Sequence, residues 1–267
     1  MSGADFPDVQ DLPDVRGLPG TLAFCVPGAG EHRADDVLPL ASVGKLLLLA
    51  SVAQDFVTGA LDPDERLALL DQDYSAGSGL LLKLSAREWT LLDLARLTAA
   101  VSDNTATNAL LRRVGLERVS AGAAALGSVH TRILDFIREP RLPEHPPTFA
   151  VGTARELAAL VGSMAGERTW GALVVEWMAG CLDRSMVPAA IPHDPEDSSV
   201  REVPLAGLWV ANKTGTDVGT RCDVGVVRGA RQVCYAVLTR CDPGHEFEMV
   251  RGMREIGAVV GRIATRG

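Results

Sequence analysis

The pattern of apolar and polar positions predicts one strand near the start of the chain, then a series of helices. Residues 20–27 (GTLAFCVP) have the short apolar character of a strand, and glycines follow it. Residues 42–58 are apolar on almost every face of a helix, so this helix is expected in the middle of a domain. Apolar spacing of the helical kind predicts further helices at 89–100, 105–114, 154–164 and 170–182.

The last third of the chain has a different pattern, which completes the fold prediction. Three apolar segments predict strands at 208–213, 222–227 and 233–239, before an amphipathic helix at 246–263. Proline-rich and charged stretches at 134–152 and 192–204 predict irregular loops. The single early strand must pair with the last three for its edges to be covered, so the order predicts an α+β fold.

The composition is that of an ordinary globular protein, with 267 residues of which 47% are hydrophobic and 22% charged. The net charge of −8 argues against nucleic-acid and anionic-membrane partners, because both require a basic surface. The longest apolar run, 46–53, is far shorter than the roughly 18–20 residues of a transmembrane helix. Neither kind of partner is therefore predicted, and the sequence leaves the oligomeric state open.

The N-terminus and the cysteines bear on location and cofactors. The N-terminal segment (MSGADFPDVQDLPDV) is acidic and lacks the basic stretch and apolar stretch of a signal peptide. The sequence therefore predicts a cytoplasmic protein, with a leader removed beforehand as the alternative. The five cysteines form no CxxC pair and no histidines cluster beside them, so no metal site is predicted.

Ser42 and Lys45 stand at the beginning of the apolar helix in a Ser-x-x-Lys arrangement. A serine hydroxyl is a poor nucleophile until a base takes its proton. Residues three apart on a helix share a face, and a lysine buried beside positive charge has a lowered pKa, so Lys45 is a candidate base. The free N–H groups at a helix start could stabilise an oxyanion. For an isolated pair the ordinary interpretation is a helix N-cap and a surface lysine.

Two further triplets follow, at 102–104 (SDN) between two predicted helices and at 213–215 (KTG) at the end of a predicted strand. Ser102 could pass a proton to a departing nitrogen, and the carboxamide of Asn104 could orient a substrate amide. Gly215 would let a substrate lie close to the backbone. Each triplet alone is explained as a helix cap or a strand end, but the joint occurrence in this order points to serine acyl transfer.

Over roughly residues 20–265 the chain resembles the class A β-lactamases and related β-lactamase-like hydrolases, members of the penicillin-recognising SxxK superfamily. The resemblance rests on the stretches SVGKLLLLA, WTLLDLARLTAAVSDNTATNALL and NKTGTDVGTRCDVGVV. It implies a β-lactamase/transpeptidase-like fold in a single domain over 1–267. An antiparallel sheet flanked by terminal helices would be built from about 19–40 and 184–267, and an all-helical subdomain at about 41–183 would carry the SxxK helix.

The resemblance also implies roles for the motif residues. Ser42 would be the acylated nucleophile, with Lys45 as its basic partner and Ser102 as a proton shuttle. Lys213 would supply positive potential, and Asn104 would contact both a lysine and the substrate amide.

The strand after the KTG triplet would supply the remaining substrate contacts. Thr214 and Thr216 would bind the substrate carboxylate beside Gly215, and the Thr216 N–H would complete an oxyanion hole. Arg221, in the stretch GTRCD, corresponds to an arginine that anchors a carboxylate in many relatives. The alternative for Arg221 is an ordinary surface arginine on a strand.

The resemblance further points to a base that releases the acyl group. Class A enzymes have a Glu-Pro-x-Leu-Asn stretch in an irregular loop, and residues 139–142 (EPRL) correspond to it, with Pro143 in place of the Asn. Glu139 would activate a water molecule, a general-base step worth about 10² to 10⁴ in rate. The loop up to Thr153 is shorter than usual. The alternatives are a solvated Glu139 without this role and His145 as the base.

Three functions fit these residues. The first is a β-lactamase that is acylated on Ser42 and releases its product with water activated by Glu139. The second is an esterase or D-alanyl peptidase with the same serine and lysine, which the lack of a recognisable export signal favours. The third is a sensor domain that stays acylated, supported by Pro143. In each case the partner is a small-molecule β-lactam or an acyl ester or amide, and no metal or organic cofactor is called for.

Overall fold

The computed structural model describes residues 13–167, 169–198 and 207–266. Within these ranges the strands are β1 Gly20–Val26, β2 Gly30–His32, β3 Leu38–Pro39, β4 Arg66–Ala68, β5 Glu88–Thr90, β6 Arg132–Ile133, β7 Ala150–Gly152, β8 Trp209–Asp217, β9 Thr220–Arg228 and β10 Gln232–Cys241. The α-helices are α1 Lys45–Thr58, α2 Leu91–Ala100, α3 Asn104–Val114, α4 Leu116–Ala125, α5 Ala154–Gly166, α6 Trp170–Ala179 and α7 Glu246–Thr265.

The main sheet joins the two ends of the chain. It is five-stranded with the order β2-β1-β10-β9-β8, and its neighbouring strands run antiparallel. The first long strand therefore pairs directly with the last, as the sequence predicts, and the α+β class is confirmed. Two small sheets, β3-β7-β6 and β4-β5, tie together segments of the helical part.

The main sheet is buried on both faces. On β8, Trp209 and Ala211 point into the larger apolar core, which contains most of the helices, whereas Val210 points into a second core against α7. Burial on both sides explains why the three late strands read as nearly continuous apolar runs. A second terminal helix would fall among residues 1–12, outside the described residues, since 13–19 contain no helix.

Helix α1 runs through the centre of the larger core. It follows a 3-10 turn at Ala41–Gly44, and it ends at Gly59, whose φ of 74° suits glycine. The whole stretch Ala41–Thr58 is long and apolar enough to cross a membrane by composition, with a mean hydropathy of 1.2, but 72% of it is buried inside the fold. The prediction that no segment approaches this length was wrong, and burial identifies the segment as a core helix.

Local sequence signals located some helix ends well. Thr90 caps α2 by accepting a hydrogen bond from the Asp93 N–H at 3.1 Å, and Thr153 caps α5 by accepting from the Glu156 N–H at 3.2 Å. Helix α4 has no counterpart in the sequence prediction. Its residues are mostly small, and only two of its side chains, Val119 and Ala123, are buried.

The KTG triplet lies within a strand, which corrects the prediction that it ends one. β8 continues to Asp217, and Lys213, Thr214, Gly215 and Thr216 all pair with residues of β9. Polar residues can take part in a strand when a neighbouring strand hydrogen-bonds their backbone groups, so the pairing with β9 outweighs the local preference for a turn.

Two sequence predictions fall on residues outside the described ranges. The prediction of a cytoplasmic location rests on the acidic N-terminal segment. That segment lies mostly in residues 1–12, so the location stays a prediction. The predicted loop at 192–204 is described only up to 198. The boundaries of the two parts of the single domain also stay predictions.

Candidate active site

Ser42 lies in the 3-10 turn that leads into α1, pressed against the outer strand β8. Gly215 makes this approach possible. A Cβ at that position would collide with the Leu40 carbonyl oxygen and would lie 3.2 Å from the Ser42 nitrogen. The backbone that needs the glycine is thus the turn carrying Ser42. The predicted contact of Gly215 with a substrate stays a prediction.

Two buried lysines converge on the hydroxyl of Ser102. The Lys45 Nζ donates to the Ser102 carbonyl oxygen at 2.6 Å and to Asn104 Oδ1 at 2.8 Å, and it lies 3.1 Å from Ser102 Oγ. The Lys213 Nζ lies 3.0 Å from the same Ser102 Oγ and donates to the Thr214 carbonyl oxygen at 2.9 Å. The structure thus brings the three motifs together, and it includes a contact between Asn104 and a lysine.

Burial sets the charge state of these lysines. It lowers the pKa of Lys45 well below the ordinary value of 10.5, and the positive charge of Lys213 lowers it further. Burial also lowers the pKa of Lys213, although the nearby Cys181, Asp183 and Asp223 oppose that change. Lys45 is therefore the better candidate for an uncharged amine that can accept a proton.

The hydroxyl of Ser42 makes no hydrogen bond to any described residue. It is not joined to Lys45 in this state, although the sequence spacing predicts that the two can touch. Hydrogen bonds of a catalytic site often tighten only when substrate binds. Ser42 itself is half-buried and borders the clefts described below.

Asp103 provides the helix cap that the SDN triplet indicates, and it makes further contacts that the sequence analysis did not single out. This buried side chain caps α3 through the Ala106 N–H at 2.8 Å and accepts hydrogen bonds from Leu80 N–H at 2.6 Å and Leu81 N–H at 2.9 Å. It ties the backbone at 80–81 to the start of α3, directly after Ser102, whose φ of 55° lies in the left-handed region. The signal was available, because Asp is a preferred N-cap residue.

Two clefts meet at Ser42. The larger cleft has a volume of about 340 Å³ and is lined by Ser42, Ser78, Ala100, Val101, Ser102, Cys181, Leu182, Asp183, Lys213, Thr214 and Thr216. The smaller cleft has a volume of about 100 Å³ and is lined by Ala41, Ser42, Gly77, Ser78, Asn104, Ile137, Glu139, Arg141, Phe149, Thr216 and Asp217. The predicted residues Ser42 and Thr216 border both clefts.

Glu139 borders the smaller cleft with an exposed side chain that has no hydrogen bond or ion pair to any described residue. The backbone just before Glu139 is held by Asn108, a buried residue that the sequence analysis did not single out. Asn108 Nδ2 donates to the Ile137 carbonyl oxygen at 2.9 Å, and the Ile137 N–H donates back to Asn108 Oδ1 at 2.8 Å. The bond between Glu139 and Pro140 is cis.

His145, the alternative base, holds its own loop and lines neither cleft. Its Nδ1 accepts a hydrogen bond from the Leu142 N–H at 3.0 Å.

The structure does not bring Arg221 to either cleft. Its Nη1 donates to the carbonyl oxygens of Asp217 and Thr220, both at 2.7 Å, so the guanidinium stabilises the turn between β8 and β9. The role of Arg221 as an anchor for a substrate carboxylate therefore has no support from its observed position. Among the described residues no cluster of three His, Cys, Asp or Glu side chains could hold a metal ion.

Most of the chain matches a single protein-family model. The model of the β-lactamase enzyme family covers residues 29–264. This chain belongs to the β-lactamase enzyme family. The matched range includes every residue of both clefts, so family membership extends to the whole site.

Individual relatives agree with membership of the β-lactamase family. The chain is 31% identical over 234 residues to a β-lactamase of Streptomyces fradiae, covering 82% of this chain and 72% of the relative. A solved β-lactamase from Sphaerobacter thermophilus is similar at a TM-score of 0.79 and 26% identity, over 93% of each chain. The structure of PBP-A gives a TM-score of 0.78 at 20% identity, over 95% of this chain and 92% of PBP-A, which shows the fold alone. The β-lactamase/transpeptidase-like fold that the sequence predicts is confirmed.

Proposed function

We propose that this chain is a serine β-lactamase of the class A type, which opens the lactam ring through an acyl-enzyme on Ser42. The supporting observation is that Ser42 lies where the two clefts meet, with Ser102 and Lys213 bordering one and Glu139 bordering the other. A site with a proton shuttle on one side of the nucleophile and a carboxylate on the other can both form and release an acyl-enzyme.

Acylation begins with attack of Ser42 Oγ on the lactam carbonyl carbon. The hydroxyl proton passes to the neutral amine of Lys45, and the new ester bond forms as the carbon–nitrogen bond breaks. The departing nitrogen takes a proton from Ser102, which recovers it from Lys45 across their 3.1 Å contact. The backbone N–H groups of Ser42 and Thr216 would stabilise the oxyanion, and Lys213 would attract the substrate carboxylate.

Deacylation uses the smaller cleft. Its volume of about 100 Å³ has room for water between Ser42 and Glu139. The carboxylate of Glu139 would take a proton from this water as the water oxygen attacks the ester carbon. The bond between that carbon and Ser42 Oγ would then break, and the proton held by Glu139 would pass to the serine oxygen.

The acylation rate should depend on pH through Lys45. Because burial lowers its pKa, the neutral amine forms well below pH 10.5, so acylation should rise with pH up to that lowered pKa and then level off. Below the pKa the rate should fall about tenfold for each pH unit. Measuring single-turnover acylation against pH by intact mass would reveal the slope.

A Lys45→Arg variant is the matched test of this assignment. An arginine is also a long basic side chain but stays protonated at every accessible pH, so acylation should drop by about 10² to 10⁴ across the whole range. A variant that acylates like the wild type, or a wild-type rate that is flat with pH, would exclude Lys45 as the base.

A second candidate function is supported by Glu139 itself. Its side chain has no hydrogen bond or ion pair to any described residue, and an unoriented carboxylate is a weaker base for a positioned water. A protein that is acylated by penicillin but releases the product very slowly would act as a sensor or a penicillin-binding hydrolase.

A time course with a chromogenic cephalosporin and with penicillin, followed by absorbance and by intact mass, tests the proposal. We expect turnover together with an adduct that appears and then disappears. A lasting adduct without turnover would select the second candidate. Faster cleavage of a short ester or a D-Ala-D-Ala peptide than of either β-lactam would select an esterase or peptidase instead.

A further inference from the structure

A buried polar cluster lies on the face of the main sheet opposite Lys213. It consists of Asn212 on β8, Asp223 on β9, Tyr235 on β10 and Arg184, and we call it the Asp223 cluster. Asp223 pairs directly with Thr214 in the β8–β9 ladder, and Asn212 is two residues before Thr214, so all three share a face. Lys213 occupies the position between them and points the other way.

Donors surround the carboxylate of Asp223. Its Oδ1 accepts hydrogen bonds from Asn212 Nδ2 and Tyr235 Oη, both at 3.1 Å, and its Oδ2 accepts from the Val187 N–H at 3.1 Å. Gly225 leaves the space for the tyrosine, because a Cβ there would lie 2.7 Å from Tyr235 Oη. Only an acceptor with two oxygen atoms can serve all three donors at once.

The same cluster holds the segment that connects α6 to the residues before β8. The Val187 N–H of this segment donates to Asp223, and the Asp183 carbonyl oxygen accepts from Asn212 Nδ2 at 3.2 Å. Arg184 bridges the two sides, since its Nη1 donates to Asn212 Oδ1 at 2.5 Å and its Nη2 donates to the Ala179 carbonyl oxygen at 2.7 Å. Three backbone groups spread over 179–187 are thus tied to one buried cluster.

This segment forms one wall of the larger cleft. Cys181, Leu182 and Asp183 line the cleft together with Lys213, and Leu182 is 75% exposed there. Within the described part of the chain the wall has one backbone hydrogen bond to the opposite side of the cleft, from the Leu182 N–H to the Ala100 carbonyl oxygen at 3.0 Å. Arg254 of α7 also holds the segment, through two hydrogen bonds to the Ser185 carbonyl oxygen at 3.0 and 2.8 Å. The Asp223 cluster is the anchor that joins the segment to β8, the strand of Lys213.

We propose that Asp223 is a positioning residue for the reaction, which holds the wall at 181–183 at its distance from Lys213 without touching the substrate. The proposal rests on the proposed function in one respect, that the larger cleft receives the substrate. Burial raises the pKa of Asp223 to about 8 against the hydrogen bonds from Asn212 and Tyr235, so the carboxylate that accepts from all three donors is the main form above that pH, where the tests below apply.

Hydrogen exchange measured on the folded protein tests whether Asp223 holds the segment. In Asp223→Asn the new NH₂ group must face at least one of the N–H donors, so at least one contact is lost. We expect the amides of 179–187 to exchange about 10- to 100-fold faster than in the wild type, with the strands of the sheet much less affected. Asp55→Asn is the matched control, because Asp55 is also buried and paired, with Arg118, but lies about 15 Å along α1 from Lys45.

Steady-state kinetics with a chromogenic cephalosporin test whether the segment matters to the reaction. Because Asp223 acts on the shape of the cleft and not on the reacting atoms, Asp223→Asn should raise KM about tenfold while kcat changes only a few-fold. Asn212→Ala keeps the carboxyl group of Asp223 but removes the contacts of Asn212 with Asp183, Arg184 and Asp223. It should show the same pattern of a raised KM, and it serves if the Asp223 variant does not fold.

Three results would overturn the proposal. Exchange at 179–187 that stays at the wild-type rate would show that Asp223 does not hold the segment. A uniform acceleration over the whole protein would show a general loss of stability instead. Faster exchange at 179–187 with an unchanged KM would show that the position of the wall does not affect the reaction. If the wild type turned over no β-lactam at all, the proposed function would fail, while the exchange measurement would still decide whether Asp223 positions the wall.

Discussion

Replacing Ser42 by alanine is expected to abolish the covalent adduct with penicillin and to reduce hydrolysis of a chromogenic cephalosporin by about 10⁴-fold or more. The physical reason is that the variant keeps both lysines, Ser102 and both clefts but has no oxygen that can form the ester. Ser42 makes no side-chain hydrogen bond to any described residue, so the free energy of unfolding of the variant should stay within about 0.5 kcal/mol of the wild-type value. Intact mass and initial rates measure the two effects.

Ser78→Ala is the matched control for the nucleophile, because Ser78 also borders both clefts and offers the alternative hydroxyl. This variant should still form the adduct. Peptide mapping of the wild-type adduct should locate the added mass on the peptide that contains Ser42. An adduct that survives in Ser42→Ala and disappears in Ser78→Ala would transfer the role of nucleophile to Ser78.

The second large effect is expected from Glu139→Gln, which should lower steady-state turnover by about 10² to 10⁴ while acylation proceeds at the wild-type rate. Glutamine has nearly the shape of glutamate but cannot take a proton from water. The acyl-enzyme should therefore accumulate and become visible by intact mass during a penicillin time course. No described residue bonds to the Glu139 side chain, so the change leaves no partner unsatisfied and the kinetic effect can be interpreted directly.

Glu144→Gln is the control for this experiment, since Glu144 is an exposed glutamate in the same loop that lines neither cleft. It should turn over β-lactams like the wild type. His145→Gln adds a comparison with the alternative base, and it should mainly loosen the loop through the lost contact with Leu142. Unchanged turnover in Glu139→Gln would remove Glu139 from the mechanism, and a large loss in His145→Gln alone would assign the base to the histidine.

Much of the fold could be predicted because its central elements carry strong local signals. Helix α1 is apolar on nearly all faces, and its four leucines from Leu46 to Leu49 are at most 1% exposed, as a central helix requires. The three late strands are apolar because the sheet is covered on both sides. Helix α4 could not be predicted because only two of its side chains are buried. The strands β3, β6 and β7 could not be predicted because they have two or three residues and form through pairing with other segments.

The catalytic residue types of the candidate site could be predicted well, whereas the residues that hold them in place could be predicted less well. The three motifs named Ser42, Lys45, Ser102, Asn104 and Lys213, and the structure brings all five close to one another. The supporting residues Asp103, Asn108 and Asp223 act through hydrogen bonds to backbone groups up to 36 residues away in sequence. No spacing rule reveals such partners, because they depend on how separate elements pack.

The sequence by itself determined which chemical groups are present: a serine and a lysine at the start of an apolar helix, a second hydroxyl, a second lysine and a loop carboxylate. Only the tertiary structure decided that two lysines are wholly buried around one hydroxyl, that Gly215 serves the turn of Ser42, and that Arg221 bonds to the turn between β8 and β9 and lines neither cleft. Side-chain type is a local property of the chain, whereas burial and orientation depend on the packing of segments that are far apart in sequence. A lysine is the same residue type in water and in the core, but burial in the core lowers its pKa, so that a neutral amine is available as a base.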